Sequence, residues 1–226
     1  MFLTRAAQII GKEGFKTFGY ALQQKMHQNM TDEKAYSIYQ KKIAPKQRIT
    51  DNKADCTAIC RHSGSYESML AAVSGMDAEY IAVCDESCEF DKDYTAIVSH
   101  YIRTQKRPRS LIYIYTDSEK YNQEAGCGLP DCKPDYSWDT LLSYNYIGDA
   151  FVAKKNALID AINECKNHGA VDNINYYELS LIILSKCKTS DVGHIHQVLV
   201  KDIRTDSKSY RTADDGMAAF KKMILE

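Results

Sequence analysis

Two aspartates stand at the ends of two apolar runs, and chemistry could begin there. Asp85 closes "EYIAVCD" (79–85) and Asp117 closes "SLIYIYTD" (110–117). Ligands of open α/β sheets collect at the carboxyl ends of strands, so two acids at such ends form a candidate metal or sugar site. Asp is also common just past a strand, where it caps the following turn. A second concentration of chemistry lies at 133–155, "KPDYSWDTLLSYNYIGDAFVAKK". Its first part, 133–146, carries four aromatics, Tyr136, Trp138, Tyr144 and Tyr146, and Trp138 is the single Trp of the chain. Such rings combine a large apolar area with a polar handle, which suits sugar stacking, an interface or plain packing.

The elements that must position these residues follow from periodicity. "CTAIC" (56–60) reads as a short strand. "SGSYESMLAAVSGM" (63–76) opens with turn residues, then shows helical spacing at Tyr66, Met69, Leu70 and Val73. A buried strand follows at 79–85, a helix over 92–105 with Tyr94, Ile97, Val98, Tyr101 and Ile102 inward, and a third strand at 110–117. Strand and helix alternating at this spacing argue a parallel α/β sheet. Further on, 151–165 reads as a short strand into a helix, 175–187 as a helix, and 193–203 as a strand. His194 and His196 on that strand read as structural. Before the sheet, 3–29 has the apolar spacing of one or two amphipathic helices with a basic polar face, and a helix is expected over 31–42. "APKQRITDNKAD" (44–55) reads as a connector, and 213–226 as a terminal helix.

Composition bounds the function. With 226 residues, 44% apolar and 26% charged, the chain fits one large domain or a domain with an appendage. A net charge of −1 creates no global field for nucleic acid, so none is expected as a partner. No run approaches the ~18 apolar residues of a membrane span. The opening "MFLTRAAQIIGKEGF" lacks the apolar region and cleavage site of a secretory leader, so none is expected. The eight Cys are spaced unlike zinc ribbons, and a chain of this length can bury its own core. Reduced thiols and a cytoplasmic setting are expected. The basic helix at 3–29 fits packing on the domain, or a partner or peripheral contact at the inner face of the membrane.

The stretch "KPDYSWDTLLSYNYIGDAFVAKKNAL" resembles the acceptor-side segment of family 2 glycosyltransferases with a GT-A fold, of the bacterial polysaccharide type. Members carry a Lys-Pro-Asp-Trp-Ser start followed by a Leu-Leu-Ser-x-Asn-Tyr-Ile-Gly-like run. Lys133, Pro134, Asp135, Ser137, Leu141, Leu142, Ser143, Asn145, Tyr146, Ile147 and Gly148 match it. "IYTDSEKY" (114–121) resembles the family's Tyr-Ser-Asp-Glu-Asp-Lys element, and 63–90 its helix, strand and acidic metal turn. "NYYELSLII" (175–183) and "GHIHQVL" (193–199) resemble its later helix and strand, so the likeness covers about residues 53–204. It implies an α/β, truncated GT-A-like mixed sheet flanked by helices, in residues 51–226, behind an N-terminal helical segment and connector in residues 1–50.

By the same resemblance, Lys133, Asp135, Tyr136, Trp138, Asn145 and Tyr146 bind donor or acceptor, Asp117 and Glu119 orient them, Asp85 holds the metal, and Glu178 is the catalytic base. The cofactor is then Mn²⁺ or Mg²⁺ with a nucleotide-sugar donor, or none where the site has decayed. The sequence departs from the family in three places. The first two strand–helix units, which hold the nucleotide base, are missing. The metal turn reads Asp85-Glu86-Ser87, with a hydroxyl in place of the second acid. The family's base position aligns with Tyr176, and a phenol with a pKa of ~10 is a poor base at neutral pH; Glu178, two residues on, aligns with the second acid and serves as the base only in the active reading. The expected function is therefore a donor-site-degenerate glycan-binding or partner-binding module in polysaccharide synthesis, with an active minimal glycosyltransferase as the alternative. Expected partners are a glycan acceptor or another glycosyltransferase chain. A homo-oligomer is a further expectation, because a sheet short of two strands exposes an edge.

Overall fold

The structure is a computed structural model that describes residues 32–38, 40–41, 56–105, 110–122, 127–167 and 174–203. The chain divides into two units, residues 1–46 and 47–226. In the first, the helix expected at 31–42 is present as α1, Asp32–Ile38. The helices read at 3–29 and 213–226, and the connector at 44–55, lie outside the described residues. Everything below belongs to the second unit.

Among its described residues that unit is an α/β structure built on one mixed seven-stranded sheet. Its elements are β1 (Thr57–Arg61), α2 (Tyr66–Gly75), β2 (Tyr80–Cys84), β3 (Cys88–Phe90), α3 (Tyr94–Thr104), β4 (Tyr113–Asn122), β5 (Cys127–Asp131), α4 (Trp138–Ser143), β6 (Phe151–Lys154), α5 (Lys155–Asn167), α6 (Tyr176–Ser185) and β7 (Val192–Asp202). The strand order is β1-β2-β6-β4-β7-β3, with β5 paired to β4. β1 and β2 are parallel, as are β4 and β7, but β6 lies antiparallel between β2 and β4. This corrects the all-parallel reading of 56–117. β1, β2 and β4 do point the same way, yet β2 and β4 are not neighbours.

Alternation along the strands divides the core into two layers. Ile81 and Val83 of β2, with Tyr113 and Tyr115 of β4, face the layer built with α2, α4, α5 and α6. Tyr80, Ala82 and Cys84, with Ile114, face the layer built with α3. Every β2 residue is buried, as a central strand covered on both faces requires. The helices begin where side chains satisfy their first N–H groups. Ser65 accepts from the Ser68 N–H and Asn175 from the Glu178 N–H. α6 is apolar nearly all round and is correspondingly buried. The seven cysteines whose side chains are described form no disulfide. Among the described residues no helix is long and apolar enough to cross a membrane.

Candidate functional site

Asp117 lies within β4, whereas the sequence places it at a strand end. β4 changes partner here: Tyr113 and Ile114 pair with β6, and Ser118 onward pairs with β5. The chain leaving β5 lies beside Asp117, and the Lys133 backbone N–H donates to Asp117 Oδ1 at 2.9 Å. On the other edge the ladder with β7 slips. Thr116 pairs with Ile195, but Asp117 pairs with Val198. His196 and Gln197 are the extra residues of a bulge, a device that re-aims side chains.

This geometry gathers Asp117, Asp135, His194 and His196. Asp117 Oδ1 meets His194 Nε2 at 3.0 Å. The other ring nitrogen, Nδ1, stands 3.4 Å from Asp135 Oδ1. His196 Nε2 stands 3.3 Å from the same Asp135 oxygen. The His194 ring stacks on Tyr115 with centroids 4.4 Å apart and planes at 14°. Tyr115 is fixed in turn by donating its hydroxyl to the Pro134 carbonyl at 2.7 Å. His194 is 5% exposed in its side chain, while Asp135 and His196 are 84% and 67% exposed, so the group runs from the interior to the surface.

Lys133 is a buried lysine. Its Nζ donates to Asp131 Oδ2 at 2.9 Å and to the Tyr146 carbonyl at 3.0 Å. Burial lowers its pKa, against the opposing pull of Asp131. Burial also works against ionisation of Asp131, but the ammonium groups of Lys133 and Lys120 more than offset it and the pKa falls. Lys133 and Lys120 line a cleft together with Ser118, Asp149, Asp202 and Cys88. Glu119 lies over Gly128 of β5, where a Cβ would collide with its carboxylate.

The positions matched to the family's metal turn and base are arranged differently. Asp85 Oδ1 accepts the Ser87 N–H at 2.9 Å and the Ser87 hydroxyl at 2.6 Å, an Asx turn closed on itself. Tyr176 donates its hydroxyl to the carbonyls of Cys84, at 2.9 Å, and of His62. It thereby ties α6 to the carboxyl ends of β1 and β2. Burial, with the charges of Cys84 and Asp85, pushes the phenol up. Glu178 lies in the first turn of α6, where its charge acts on the Tyr66 hydroxyl.

The aromatics divide between core and surface. Tyr146 is buried, accepts the Ser137 N–H on its hydroxyl at 3.1 Å and sits edge-on to Tyr115. Tyr136 and Trp138 pack half-buried against the core, and burial pushes the Tyr136 hydroxyl up to about 12. Tyr144 is 51% exposed, edge-on to Tyr146. Asn145 closes the turn before β6 by accepting the Gly148 N–H at 3.0 Å.

Sequence reasoning read His194 and His196 as structural, and it placed Asp135 only through the resemblance. The available signal was the His-x-His spacing, which puts both rings on one side of a strand. No protein-family model matches this chain, and no curated protein matches its sequence.

Proposed function

We propose that the chain is a GT-A-like module, related to family 2 glycosyltransferases, whose donor chemistry has decayed and which binds a glycan or a partner chain in cell-surface polysaccharide synthesis. The observation that carries this reading is the engagement of Tyr176. The side chain at the base position is a phenol committed to two backbone carbonyls. The Asp85 turn adds support, since its carboxylate oxygen is taken up by Ser87. A mixed sheet flanked by helices is the architecture that such a module requires. The glycan arm is favoured by Tyr144, whose exposed ring offers an apolar face to a sugar.

A second reading, an active minimal transferase moving a sugar from a nucleotide donor to a glycan acceptor, has one observation in its favour. The charges of Asp85 and Asp149 both act on the Tyr176 hydroxyl. Calorimetry of the full chain with a panel of nucleoside diphosphates and Mn²⁺ separates the two. The module reading expects no nucleotide bound tighter than about 1 mM. Tighter binding that is lost in Asp85→Ala would overturn it in favour of the transferase.

A further inference from the structure

We infer that Asp135, His194 and His196 form a binding site for a borderline divalent transition cation of the zinc class, with Asp117 positioning the buried ligand from behind. The inference rests on the geometry of the group and not on the glycosyltransferase resemblance.

Asp117 is a buried carboxylate that already accepts the Lys133 N–H, so the His194 nitrogen facing it at 3.0 Å is a donor. A neutral imidazole with its proton on Nε2 directs a lone pair from Nδ1, and that lone pair faces Asp135 Oδ1 at 3.4 Å. Two acceptors pointed at one another repel, and a cation between them converts the repulsion into coordination. A carboxylate on the far nitrogen of a ligating histidine is also the usual support for such a ligand, because it fixes the ring and raises its basicity.

Asp135 Oδ1 stands 3.4 Å from His194 Nδ1 and 3.3 Å from His196 Nε2, long for hydrogen bonds to a carboxylate. Ligand atoms ~2.1 Å from a tetrahedral centre stand about 3.4 Å apart. The three ligand atoms all lie within 4.8 Å of one another. Two imidazoles and one carboxylate select zinc-class cations over calcium or magnesium, which take all-oxygen shells. The exposure of Asp135 and His196 leaves the fourth position to solvent or an incoming ligand. The Tyr115 stack holds the His194 ring in place, and the bulge sets where His196 leaves the strand.

The test is titration of the intact chain with Zn²⁺ alone by calorimetry, repeated with Co²⁺ and read by visible absorption. Expected is one equivalent bound, with the d–d bands of a four-coordinate N/O site. His196→Ala and Asp135→Asn, both exposed positions that leave the core intact, should each weaken binding by more than about tenfold. Asp117→Asn should weaken it by about 10–100-fold without changing the stoichiometry. Cys132→Ser, which removes an exposed nearby thiol, should change nothing. Binding that is unaffected by His196→Ala and Asp135→Asn, a thiolate charge-transfer band that disappears in Cys132→Ser, or the absence of a stoichiometric equivalent would each overturn the assignment.

Discussion

The Asp117 oxygen that accepts the Lys133 backbone N–H at 2.9 Å also meets His194 Nε2 at 3.0 Å. One buried carboxylate thus joins β4, the chain leaving β5, and β7, at the point where β4 changes partners. Asp117→Ala orphans two donors in a buried place and should lower stability by about 2–3 kcal/mol in urea denaturation. Asp117→Asn keeps an acceptor and should cost less. Equal losses for the two variants would mean that the contact is not what holds these strands.

Tyr176 is the corresponding clasp at the other end of the sheet. Tyr176→Phe removes the donor from the Cys84 and His62 carbonyls while keeping the ring in its core. A loss of about 1–3 kcal/mol is expected in denaturant unfolding. A variant as stable as the parent would mean that the hydroxyl does not hold these strand ends to α6.

Asp131 makes the second unit's stability depend on acid pH. Its pKa is lowered on folding, because the pull of Lys133 and Lys120 outweighs burial. Its contribution is therefore present above the unfolded carboxylate value of ~3.9 and is lost as pH falls through the folded value. Asp131→Asn should cost about 1–2 kcal/mol at neutral pH, and the difference should close below about pH 4. A deficit unchanged down to strongly acid pH would show that packing, not charge, was removed.

The strands and helices with a clean period were legible before the structure. The uninterrupted apolar run of β2 and the i, i+3, i+4 apolar faces of α3 and α5 carry their own signal. β3 is three residues long, and β5 contains a Gly and a Pro, so neither shows alternation. The second half of β4, "SEKYN", is polar and reads as a turn, yet it is a strand because β5 and β7 supply its ladders. The insertion of β6 between β2 and β4 is set by long-range pairing and has no local signature. The same contrast holds at the site. The Asp85–Ser87 turn is local, but the Asp117–His194 contact joins residues 77 apart and arises only from the β4–β7 ladder and its slip.

The turn before β6 should be sensitive at two residues. Gly148 has φ +87°, a left-handed conformation that L side chains resist, and Asn145 accepts its N–H. Gly148→Ala should cost about 1–2 kcal/mol, and Asn145→Ala about 1 kcal/mol. Thermal unfolding of the two variants checks both. A neutral Gly148→Ala would mean that the turn relaxes into another conformation.

Tyr144 separates binding from folding. Its ring is 51% exposed and meets Tyr146 edge-on at 6.0 Å, whereas Tyr136 and Trp138 pack half-buried against the core. Tyr144→Ala should therefore change stability by less than about 0.5 kcal/mol. If the surface around 133–148 binds a glycan, the same substitution removes a stacking face and should weaken binding to any oligosaccharide retained in an array screen, by roughly fivefold or more for the loss of about 1 kcal/mol of ring contact. Trp138→Phe, which keeps an apolar ring in the half-buried position, should leave that binding within about twofold of the parent. If Tyr144→Ala left the glycan affinity unchanged in a stably folded protein, the sugar would lie elsewhere, and the exposed ring would be better explained as part of a protein interface.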